Sequence, residues 1–139
     1  MDADLLKDVP GGPELIAWFG GRLPSFHDAE VVEVLLERRD SRCRLKIHGF
    51  EITSDLDEKG YFKSIRHAVV TFHLDRVSAL ELADFNHQNV IDRLSLTQTA
   101  AGGFLLQMEP CYGLFGKVEA ASLRISLEPG IPEASVYTR

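Results

Sequence analysis

The residues of this chain that could do chemistry are five histidines (27, 48, 67, 73 and 87), two cysteines (43 and 111) and the cluster Ser25-His27-Asp28. Ser, His and Asp are the types of a hydrolase triad, but a triad works through space, and three near-neighbours in sequence cannot align base with nucleophile. His67 and His73 fall on one face of a strand, yet six residues of strand span about 20 Å, too far for two ligands on one ion. His27, Asp28 and Glu30 could hold zinc or iron only if a distant histidine joined them, and no HExxH or HxxE pattern supports that. Cys111, in Pro110-Cys111-Tyr112-Gly113, has no local cation to lower its pKa and reads as a buried or turn cysteine. Gly113-Leu114-Phe115-Gly116-Lys117 lacks the glycine spacing and the following Ser or Thr of a phosphate loop, and reads as a hairpin turn. The expectation is no catalytic residue, no metal and no cofactor.

Two polar clusters remain. Pro24-Ser25-Phe26-His27-Asp28-Ala29-Glu30-Val31 leads into an apolar run, where His27 and Asp28 either fix the backbone at the start of a strand or face a partner. Asn86-His87-Gln88-Asn89 either satisfies buried backbone groups or presents an interaction edge.

The elements that must position these residues are mostly strands. Leu15, Ile16 and Phe19 fall at helical spacing after Pro13, predicting a short helix over 13–19 that Gly20-Gly21 ends. Alternation of period two then predicts strands at 30–37, at 43–52 with a bulge near Gly49, at 67–75, at 91–98, at 104–108 and at 118–128. Residues 54–64 read as a long polar excursion, 77–85 as either a short strand or a helical turn, and the tail from Pro129 as a loose end. Strands linked by short turns predict a mostly β chain: an antiparallel β-sandwich or a strongly curved antiparallel sheet with a short N-terminal helix. The 139 residues suit a single domain with its core over about 13–128.

Net charge is −6, with nine acidic against four basic residues in the first forty, which argues against a nucleic-acid partner. No apolar run approaches a membrane span, no leader pattern opens the chain, and two cysteines make no disulfide framework, so a cytoplasmic protein with no membrane association is expected. Open sheet edges leave a monomer or a weak homodimer.

Trp18-Phe19-Gly20, the segment 24–31, Asp84-Phe85-Asn86-His87-Gln88-Asn89-Val90 and the Cys111-Tyr112-Gly113 turn resemble, in order and spacing, the immunity protein 50 family of bacterial polymorphic toxin systems, over roughly residues 16–128. The resemblance implies a non-catalytic, mostly β inhibitor that binds a cognate protein toxin, with a basic, nuclease-like toxin the natural complement to the acidic charge. On that implication Asp28, Glu30, Glu33 and Glu37 steer association, Trp18 or Tyr112 supplies an exposed aromatic anchor, and His27, Asn86 and His87 line the partner surface. A small-ligand-binding β module and a metal-dependent or hydrolytic enzyme are the alternatives. The first requires an apolar cavity with convergent polar groups, and the second a perturbed histidine or cysteine beside a carboxylate.

Overall fold

The structure, a computed structural model, describes residues 3–137. Two short helices, α1 (Ala3–Lys7) and α2 (Gly12–Trp18), precede six strands: β1 (Glu30–Glu37), β2 (Arg42–Leu56), β3 (Phe62–Ala83), β4 (Val90–Gln98), β5 (Phe104–Tyr112) and β6 (Phe115–Pro129). All neighbours are antiparallel, in the order β1-β2-β3-β6-β5-β4, and the last meets the first to close a barrel. The curvature read from the alternation thus goes as far as closure.

The middle of β3 explains why its alternation is so clean. Ala68 to Leu74 is paired with β2 on one side and β6 on the other. Ala68, Val70, Phe72 and Leu74 are fully buried between them, each large side chain contributing about 2 kcal/mol by leaving water. Opposite them Cys43, Leu45 and Ile47 of β2 are equally buried, so Cys43 behaves as a small core residue whose thiol burial pushes up to about 11. Leu6, Val9, Leu15 and Phe19, from the two helices and the turns after them, join the same core.

Several expectations are corrected. The polar excursion over 54–64 shrinks to a tight hairpin, because β2 runs on to Leu56, β3 begins at Phe62, and Asp57 closes the turn by accepting from the Lys59 and Tyr61 amides. Of the two readings left open for 77–85, the strand holds through Ala83, kept so by the pairing of β3 with β6, which a single-sequence pattern does not reveal. The first helix, α1, carries no signal beyond Leu6, and the predicted second one starts a residue early, at Gly12. The tail is not a loose end: Ser135 is buried, and Gly130 N–H donates to His67 C=O.

Closure rests on few bonds. Glu30 pairs with Val90, and Val31 N–H donates to the Asn89 carbonyl. Before β1, Asp28 N–H donates to Ile91 C=O and Ile91 N–H to Ala29 C=O, each at 2.9 Å. The polar cluster over residues 24–31 is therefore the seam of the barrel.

Candidate functional site

At the seam the chain needs two left-handed residues, Phe26 (φ 56) and Asp28 (φ 67), to turn the lead-in against β4. Asp tolerates that region, and Phe26 is compensated by full burial, edge-on to Phe19 and Phe72. Gly49 makes room for this packing, since a Cβ there would come within 3.2 Å of the Phe26 ring. His27 stays exposed, its Nδ1–H donating to the Asp92 carbonyl at 3.0 Å. That carbonyl and the carboxylates of Asp28 and Asp92 hold His27 above the ordinary imidazole value.

One residue further, Glu30 turns inward. Its Oε1 lies 2.7 Å from His48 Nδ1, His48 Nε2 lies 2.8 Å from His67 Nδ1, and His67 Nε2 lies 2.9 Å from Ser64 Oγ. Ser135 Oγ and the Val136 N–H complete the carboxylate's shell from the tail. One arrangement of protons satisfies the whole row: Ser64 O–H to His67, His67 Nδ1–H to His48, His48 Nδ1–H to Glu30, and Ser135 O–H to Glu30. Burial pushes Glu30 up, but the hydrogen bonds from His48, Ser135 and Val136 outweigh it and leave the carboxyl below its usual value. Burial, and the neighbouring His48, hold His67 below its ordinary value. Phe50 and Tyr137 close over the two imidazoles with ring centroids 4.8 to 5.9 Å apart. In outline this is a Ser-His-His-Glu row, and its hydrogen bonds tie β1, β2, β3 and the tail together.

Beside it lies an open groove of about 660 Å³, walled by the start of β1, residues 85–90, Tyr112 and the tail. The 85–90 wall is built from two asparagines. Asn86 Oδ1 accepts from the Gln88 and Asn89 amides, while Asn89 Oδ1 accepts from the amides of Asn86 and Leu114. Gly113 (φ 83) closes against both, because a Cβ there would lie 2.5 Å from Asn86 Oδ1. Phe85 and Tyr112 are left 62% and 60% exposed on the rim.

Of the residues singled out from the sequence, Asp28, Glu30, Asn86, His87 and Tyr112 line this groove. His27 stands apart from it, on a smaller pocket of about 310 Å³ with Phe19, Phe50 and Ile52. Four of the residues singled out take different roles from those the sequence suggested. Trp18 is half-buried, its Nε1–H donating to Arg66 C=O at 2.8 Å, so it is not a free aromatic face. Glu30 is 7% exposed and serves the interior rather than the surface. Glu33 and Glu37 are paired with Lys46 (3.9 Å) and Arg44 (3.5 Å), which neutralises the acidic strip expected along β1. Sequence reasoning missed the linking of His48 to His67 and the role of Ser135. Only the pairing register of β2 with β3 brings the two rings together, and the tail has no periodicity to reveal its docking.

The exposed side chains of His27, Asp92 and Cys111 also converge, with ligand atoms within 4.8 Å of one another. Nδ1 of His27 is already engaged by a carbonyl, and burial and the carboxylates of Asp92 and Asp28 hold the Cys111 thiol above its usual value. The trio serves the seam by joining the lead-in to β4 and β5.

Fold and site together define a small closed antiparallel β-barrel with an aromatic-rimmed groove at its seam. The sequence matches the family profile Immunity protein 50 over residues 12–126, and the chain belongs to that family. No curated protein and no solved structure matches it. Membership suggests an immunity protein and implies, in general terms, a toxin as its partner.

Proposed function

We propose that this chain is a cytoplasmic, non-catalytic immunity protein that neutralises a cognate toxin domain by seating part of it in the seam groove. The observation that carries this reading is the pair of rings, Phe85 and Tyr112, more than half exposed on a rim otherwise fixed by backbone amides donating to the Asn86 and Asn89 side chains. Rigid aromatics beside a groove bind at low entropic cost and are the residue types that dominate interface energetics. The groove lining includes the carboxylate of Asp28 and no Lys or Arg, which suits a basic toxin, nuclease-like in charge.

The test is to express the chain with the toxin domain encoded beside it, purify the complex and measure affinity and toxin inhibition. Tight one-to-one binding, lost on Tyr112→Ala combined with Phe85→Ala while the melting temperature holds, is the expected result. Inhibition of the toxin without any complex, or turnover of the toxin's product by this chain, would refute the reading.

A further inference from the structure

Among the described residues, β1 beyond Val31 is bonded on one side only. Towards β2 it is paired from Glu30 to Glu37, but towards β4 the described pairing stops at Glu30 with Val90 and the Val31 N–H bond to Asn89. Because β1 and β4 run antiparallel, β1 moving forward from Glu30 passes the 84–89 turn and not another strand, and that turn uses its polar groups on itself. Antiparallel alternation then fixes which groups are left over. Val31 points its N–H away from β2, and the bulge between Val31 and Glu33 resets the count. Glu33, Leu35 and Glu37 therefore exchange bonds with Lys46, Arg44 and Arg42, and Val34 and Leu36 direct N–H and C=O outward.

The side chains of Val34 and Leu36 sit opposite Leu45 and Cys43, which are fully buried, so they lie on the core side of the sheet. Leu36 is nevertheless 51% exposed. With Leu82, Phe85 and Leu114 it lines a second, apolar groove of about 360 Å³ that meets the first at Phe85. An unpaired edge beside an apolar trough is the geometry of strand addition, in which backbone bonds supply affinity and alternate side chains fill pockets.

We infer that the edge of β1 over Val34–Leu36 receives an extended segment of the toxin as an added strand, its alternate apolar side chains entering the trough and its flanking Lys or Arg residues meeting the groove's carboxylates. This inference rests on the immunity reading above. Charge selects the occupant: Asp28 and Asp84 bring carboxylates to the two grooves, and no Lys or Arg lines either. A second copy of this chain, at net charge −6, would bring no excess of Lys or Arg to meet those carboxylates.

The experiment is amide hydrogen exchange on the full chain, free and bound to its toxin domain, with affinities of Leu36→Pro and Leu36→Ala. Binding should slow exchange at Val34 and Leu36 by about tenfold or more. Leu36→Pro, which removes an outward N–H at an edge where proline is tolerated, should weaken affinity about a hundredfold, and Leu36→Ala, which keeps the N–H, about tenfold. Should the proline variant fail to fold, exchange in the unmodified complex decides alone. Tight binding with unchanged exchange at both amides overturns strand addition and leaves the immunity reading standing. No binding overturns both, and protection produced by self-association in sedimentation overturns the choice of occupant.

Discussion

Ser135 Oγ lies 2.5 Å from Oε1 of Glu30, joining the tail to the first residue of β1 across 105 positions of chain. The carboxylate also takes His48 Nδ1–H and the Val136 N–H, so its removal leaves several buried donors without an acceptor. Glu30→Ala should therefore destabilise the fold by about 3 kcal/mol and Ser135→Ala by about 1 kcal/mol. Urea unfolding measures both, and a loss below about 0.5 kcal/mol for Glu30→Ala would show that the network is not a strut.

The network's titratable groups, together with His73, set an acid limb of stability. His67 and His73 have folded values below the ordinary 6.5, His67 through burial and His48, and His73 through burial and the nearby Arg124 and Arg44. The unfolded chain thus takes up protons there first, and stability falls as pH drops below about 6.5. Glu30, held below 4.5, adds stability that is present above 4.5 and lost as pH falls through its lower folded value. His27, held high, acts oppositely, adding stability below 6.5 that is lost as pH rises through its raised value; its 53% exposed side chain keeps the effect small. Melting temperature should decline from pH 7 to pH 4, and the gap between the native chain and Glu30→Gln should narrow below pH 4.5. A flat profile over that range would contradict the assignment.

How much of this was legible from residues alone follows from what period and spacing can carry. The alternation in Ala68-Val70-Phe72-Leu74 reports a strand because both neighbours bury one face of it, whereas Val77 to Ala83 loses that regularity where β3 leaves β2 and keeps only β6. Asp28 and Tyr112 were visible as polar and aromatic residues outside the apolar pattern. The His48–His67 bond was not, since it depends on cross-strand register and on the bulge after Gly49. Nor was the docking of Ser135, which no local pattern encodes because its partner is 105 residues away.

The groove wall separates structure from recognition. Gly113→Ala forces a Cβ against Asn86 and Asn89 at a positive φ, so it should cost about 2 kcal/mol or more and loosen the wall. Trp18→Ala should also destabilise, by about 2 kcal/mol, since it removes packing and the bond to Arg66. Phe85→Ala and His87→Ala, both exposed, should stay within about 0.5 kcal/mol of the native chain. Thermal and urea unfolding of the four variants checks the division, and a large loss from Phe85→Ala would mean that the ring belongs to the core.

Cys111 is exposed but lies 3.9 Å from Asp92 Oδ1, with Asp28 also nearby, and these carboxylates add to burial in holding its thiol above the usual value. Reaction with a thiol reagent goes through the thiolate, so Cys111 should be labelled more slowly at pH 7.5 than a free cysteine despite its accessibility. Asp92→Asn should speed the labelling, whereas Glu109→Gln, as a charge control, should not. Buried Cys43 stays silent until the barrel unfolds, which makes the slow phase an independent clock for opening.

Association kinetics distinguish the acids. Glu33 and Glu37 have their charges met by Lys46 and Arg44, so their fields are largely cancelled beyond a Debye length of about 8 Å at physiological salt. Asp28 borders the groove, offset among the described residues by His27 Nε2 at 3.6 Å, and it should carry most of the steering toward a basic partner. Asp28→Asn should lower the association rate several-fold at low salt, with the difference fading as salt rises, while Glu33→Gln should change it little. Stopped-flow association with the toxin domain at two ionic strengths reads this directly. A larger effect from Glu33→Gln than from Asp28→Asn would move the docking face from the seam to the outer side of β1 and β2.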